Sequence, residues 1–62
     1  MYERGDTVWL RIGSPQMQVT LAWWVRWKQI VRVHWQADGK PREGEFQAKE
    51  LVPYDPRTED GA

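Results

Sequence analysis

Apolar side chains return at every second residue along most of this chain, and glycine and proline cut the runs short. That is the pattern of half-buried strands joined by turns, with no sustained helical period. Val8, Leu10 and Ile12 alternate with Thr7, Trp9 and Arg11. The alternation predicts a first strand from about Thr7 to Ile12, its aliphatic set toward a core and Trp9 on the other face. Gly13-Ser14-Pro15 reads as a turn, because glycine permits positive φ and proline donates no hydrogen bond.

A second strand follows from about Met17 to Trp24. Met17, Val19, Leu21 and Trp23 share one face, and Gln18, Thr20, Ala22 and Trp24 the other. A slip of one residue would exchange Trp23 and Trp24. Between Trp24 and Lys28 there is no turn former, which leaves a bulge, a bend or a long twisted ribbon as readings. A third strand is expected from about Gln29 to Ala37, with Val31, Val33, Trp35 and Ala37 on one face. Its β-branched content favours extended structure. Asp38-Gly39 is a strong hairpin signal. A short polar strand from about Arg42 to Gln47 carries Phe46. Ala48-Lys49-Glu50 suits one turn of 3-10 helix, and Leu51-Val52 a last strand stopped by Pro53.

The expected fold is therefore all-β: a five-stranded SH3-like barrel over residues 1–53, with a 3-10 turn before the last strand. The expected core is Val8, Leu10, Met17, Val19, Leu21, Val31, Val33, Trp35, Phe46 and Leu51. Residues 54–62 hold charges and Pro56 without a large aliphatic side chain, and are expected to form a disordered tail.

Several of these residues in order resemble the YodC-like proteins, a family of small bacterial proteins without an assigned role. They are Gly5-Asp6 with the Val8/Leu10 strand, then Gly13-Ser14-Pro15-Gln16-Met17-Gln18-Val19, then Val31, Val33 and Trp35, and finally Asp38-Gly39, Phe46 and Glu50-Leu51-Val52-Pro53. The resemblance spans roughly Gly5 to Pro53. It departs at Val33, where the family often has cysteine, at Gln36, where an aromatic usually follows the tryptophan, and at Trp23, Trp24 and Trp27. It implies an SH3-like fold and a bacterial or mobile-element origin, and it brings no catalytic residues. A second likeness, to the plasmid-borne type II dihydrofolate reductases, stops at the early Gly-Asp strand. Their pore-lining Val-Gln-Ile-Tyr segment is replaced by Glu45-Phe46-Gln47-Ala48.

A chain of 62 residues without cysteine has no disulfide to lean on. With one histidine, His34, a structural metal site is not expected. Stability falls to its large aromatic side chains, each able to bury about 150–250 Å². Five tryptophans exceed what one small core can hold, so Trp9, Trp24 and Trp27 are the candidate partner-binding residues. The charge is also uneven. Arg11, Arg26, Lys28, Arg32, Lys40 and Arg42 precede Glu43 with Asp38 alone opposing from Trp9 onward, and the remainder is acidic. Trp9, Trp24 and Trp27 suit a protein partner or a second copy, while Arg26, Lys28 and Arg32 lie close to Trp24 and Trp27 in sequence and carry a different reading. That alternative is single-stranded nucleic acid, with cations on phosphates and rings on bases. Glu43 and Glu45 share a face, but flank Gly44 on a polar strand and read as solvated. No nucleophile, phosphate loop or triad spacing is visible, so the expectation is a non-catalytic binding module with no cofactor. No run reaches the roughly 20 apolar residues of a membrane span, and a cytoplasmic location is expected.

Overall fold

The computed structural model describes residues 1–59, and they form an all-β chain with five antiparallel strands. The strands are β1 (Thr7–Leu10), β2 (Met17–Val25), β3 (Lys28–Ala37), β4 (Lys40–Gln47) and β5 (Leu51–Val52). A 3-10 turn, Ala48–Glu50, joins β4 to β5. The sheet order is β4-β3-β2-β1-β5, one open sheet with β4 and β5 at its margins. None of the described helices is long and apolar enough to cross a membrane.

The two tight turns differ in how far local chemistry explains them. Ala37 pairs with Lys40 across Asp38 and Gly39, which take φ of 55° and 73°. Two successive positive φ values match the right-handed twist of a hairpin, and Asp-Gly accepts them readily. Val25 pairs with Lys28 across Arg26 and Trp27, so the segment that lacked a turn former still makes a two-residue turn. Arg26 takes φ of 57° there, a conformation that costs a non-glycine residue about 1–2 kcal/mol.

The core lies on one face of the bent sheet. Val8, Met17, Val19, Val31, Val33 and Leu51 are buried, with Tyr2, Leu10, Ala22, Trp35, Phe46 and Ala48 packed against them. Each large aliphatic side chain removed from water there contributes about 1.5–3 kcal/mol. Trp35, Gly44 and Phe46 sit on this face of β3 and β4. A Cβ on Gly44 would come within 3.2 Å of the Phe46 ring and 3.3 Å of the Trp35 ring. Glycine at that point lets the two rings close over the strand.

Two expectations about facing are overturned. The β2–β3 ladder shifts register between Val19 and Leu21. Thr20 is the extra residue, a β-bulge, and its hydroxyl donates to the Arg32 carbonyl. Val19 stands opposite Val33 before the bulge, while Ala22 stands opposite Val31 after it. Leu21 and Trp23 therefore leave the face of Met17 and Val19 and point outward. Leu21, expected in the core, is 49% exposed. Ala22 and Trp24 take the core-side positions instead. The second correction is Ile12: β1 ends at Leu10, Gly13 donates its N–H back to the Leu10 carbonyl, and Ile12 is 92% exposed.

Within the segment expected to be disordered, Pro56–Glu59 forms a single helical turn. Arg57 reaches from it to donate to the Ser14 carbonyl at 2.8 Å and to pair with Asp55. Residues 60–62, the rest of that expectation, lie outside the described residues.

The bulge separates two truncations that a regular strand would make equivalent. Met17→Ala, in the core, is expected to cost about 2–5 kcal/mol, whereas Leu21→Ala costs less than about 1 kcal/mol. Urea melts of the two variants measure the difference, and equal losses would contradict the outward placement of Leu21.

Candidate binding groove

The distal end of the β2–β3 hairpin and the 3-10 turn face each other. Ile30 pairs with Gln47, so Ala48 and Lys49 continue alongside Gln29 and Lys28. Between the two elements is a groove of about 570 Å³, lined by Trp24, Trp27, Lys28 and Gln29 on one side and Gln47, Ala48 and Lys49 on the other, with Met1 at its end. Trp24 is 53% exposed and Trp27 79% exposed. Two large rings in water are unfavourable unless something covers them.

The floor of the groove is held by an uncommon contact. Gln29 is 6% exposed, the buried polar side chain of the described residues. Its amide accepts from the Tyr2 N–H at 2.9 Å and donates to the Tyr2 carbonyl at 2.8 Å. The side chain so imitates a strand neighbour and ties the N-terminal segment beneath Trp24, its partner across the ladder. Burial pushes the Tyr2 phenol above its ordinary value, with Arg11 opposing. Sequence reading passed over Gln29, because a glutamine at the start of a strand carries no sign that its amide will find a backbone 27 residues away.

The electrostatics of the groove have one sign. Lys28 and Lys49 line it, Arg26 occupies the adjoining turn, and no carboxylate is among its lining residues. The nearest acid in sequence, Glu50, has its carboxylate occupied by the Gln47 N–H at 2.9 Å.

The six expected partner-binding residues do not form one site. Trp24, Trp27 and Lys28 share the groove, and Arg26 adjoins it. Arg32 lies on the opposite face of the sheet. There it donates through Nε and Nη2 to one Glu45 oxygen, at 3.2 and 2.8 Å, and covers the Trp23 ring with its guanidinium 5.8 Å from the centroid. The Glu45 contact holds the Arg32 pKa above its ordinary value. Trp9 is remote. The β1–β2 register puts it about 25 Å along the strands from Trp24, from a rise of about 3.3 Å per residue. It is half-buried opposite Val52 on the β1–β5 pair. His34, Glu43 and Glu45 are exposed on the outer face.

Compared with family models, characterised proteins and solved structures, the chain matches none of them.

Two variants probe how the groove is built. Gln29→Ala leaves the Tyr2 N–H and carbonyl without their partner, and is expected to cost about 1–3 kcal/mol, with faster amide exchange at Tyr2. Arg26→Gly relieves the positive φ at the turn and raises stability by up to about 1 kcal/mol after the added freedom of the unfolded chain is counted. Thermal melts of both variants check the signs.

Proposed function

We propose that this chain is a non-catalytic binding module that captures an acidic stretch of a partner protein in the groove between Trp24, Trp27 and Lys49. One observation carries the reading: two exposed indoles and two lysines line one depression that has no carboxylate among its lining residues. Rings supply desolvated area and the ammonium groups supply the sign, so the complementary occupant is apolar or proline-containing and negatively charged. The lining groups are indoles, amides and exposed ammonium groups, which suit adhesion.

The proposal includes an SH3-like architecture, kinship with the YodC-like proteins and a bacterial cytoplasmic setting. In support of the architecture, the strand order β4-β3-β2-β1-β5 and the 3-10 turn before β5 follow the layout of that fold. The kinship rests on the ordered residues from Gly5 to Pro53. A protein partner is favoured over nucleic acid because the basic set is divided: Arg32 is engaged by Glu45 on the face away from Trp24 and Trp27.

The test is an amide and indole NMR titration with short acidic, proline-containing peptides and, separately, mixed-sequence single-stranded DNA. The expected result is salt-sensitive movement of the Trp24 and Trp27 indoles with the peptides. Trp27→Ala should weaken that binding by about 30-fold or more, a hot-spot loss of about 2 kcal/mol. Its exposure keeps the fold out of the comparison. Movement with DNA alone, at Trp24 and Trp27, would replace the proposal with the nucleic-acid reading, and silence from both ligands would overturn it.

A further inference from the structure

β2 is paired on its β1 side only over its first residues. Thr7 and Val8 meet Gln18 and Met17, and Val19 exchanges bonds with Asp6 and Gly5. There the chain turns away: the Asp6 N–H bonds to the Glu3 carbonyl, and Gly5 takes φ of 95°. Tyr2 is drawn under the sheet by Gln29. The distal half of β2, Leu21–Val25, is left with an open edge. A cleft of about 400 Å³ lies beside it, between Leu21, Ala22 and Trp24 and the segment Tyr2–Arg4.

The register says which groups this edge presents. In a two-residue hairpin the closing pair is hydrogen-bonded, and such pairs alternate with non-hydrogen-bonded ones. Val25, Trp23 and Leu21 therefore spend their backbone groups on Lys28, Ile30 and Arg32. Ala22 and Trp24 point theirs the other way. The same parity holds beyond the bulge, where Val19 bonds toward β1. Among the described residues, no backbone bond on that side is present at Ala22 or Trp24.

The opposite margin is protected against pairing. On β4 the outward-pointing residues are Pro41, Glu43 and Glu45. Proline has no N–H, and any face-matched antiparallel pairing of β4 with itself sets a carboxylate against a carboxylate or against that proline. Leu21–Val25, sequence LAWWV, has no charge, glycine or proline.

We propose that two copies of this chain join edge to edge along Leu21–Val25, antiparallel about a two-fold axis at Trp23. That axis sets Ala22 of one copy against Trp24 of the other, and each such pair exchanges both of its N–H···O bonds. The methyl of Ala22 leaves room for the opposing indole on the core side. On the outer face Leu21 meets Val25, each 49% exposed in the single chain, and Trp23 meets its own copy. Arg26 falls opposite Thr20, so no like charges are opposed. The interface is isologous and the sheet becomes continuous across it. The two grooves then flank the axis, one on each copy, and Trp24 lines its groove with its ring while its backbone joins the shared ladder.

Sedimentation of the full chain measures the state directly: the expected mass at micromolar concentration is twice 7.4 kDa. The two-fold axis also makes a covalent prediction. At a non-hydrogen-bonded pair the Cα atoms stand about 4.5 Å apart, within the roughly 4.4–6.8 Å that a disulfide spans. Trp23→Cys, the single thiol in a chain without cysteine, should oxidise to a covalent dimer at least tenfold faster than Trp27→Cys. Ala22→Pro removes an edge N–H that β3 does not use, and should give a monomer with a cooperative melt. A wild-type monomer at all concentrations, a dimeric Ala22→Pro, or equal oxidation of the two cysteine variants would each overturn the proposal. If Ala22→Pro fails to fold, the cysteine pair still decides.

Discussion

One extra residue in β2, Thr20, governs how the rest of the surface is distributed. Side chains alternate across a strand, so a single insertion exchanges the two faces for every residue beyond it. Met17 and Val19 enter the core before the bulge. After it, Ala22 takes the inward position and Leu21 and Trp23 turn out. Without the bulge Trp23 would occupy a core position and Trp24 the outer face. The groove would then lose one of its two rings and the β2 edge its apolar outer row.

The core is small and is closed by shape as much as by area. Six aliphatic or methionine side chains form its centre. The Trp35 and Phe46 rings seal one margin because Gly44 offers no Cβ between them. Leu51 is presented by a strand of two residues that Pro53 stops. Gln29 seals the far end by holding the Tyr2 backbone as a neighbouring strand would. A chain of this length has little stability to spare. Leaving Trp24 and Trp27 in water and Arg26 at positive φ runs against that economy, and the three are contiguous with the one-signed groove. Such local conflicts concentrate where a surface is used.

The β4 margin and the open half of β2 show opposite treatment. β4 carries outward carboxylates and a proline, the means by which strand edges are kept from pairing. The free half of β2 carries neither. Its neighbour on that side is removed by the Glu3–Asp6 turn, and the Gln29 clamp holds the departing chain under the sheet. The clamp that floors the groove thus also keeps the edge open.

Much of the architecture was legible from the sequence. Period-two alternation placed the strands within a few residues, and the Asp38-Gly39 hairpin, the 3-10 turn at Ala48–Glu50 and the facing of β3 all appear where local chemistry puts them. Those features depend on a residue and its near neighbours. The bulge, the grouping of Trp24 and Trp27 with Lys28, the separation of Trp9 and Arg32 from them, and the role of Gln29 were decided by tertiary structure. Each depends on which residues stand opposite one another across the sheet. Thr20 is extra only because Val19 stands opposite Val33 and Leu21 opposite the very next residue, Arg32, and Lys49 belongs to the groove only because Ile30 pairs with Gln47. Local alternation sets which residues can share a face. Pairing between distant segments sets where that face turns over, and no pattern within a single strand contains that information.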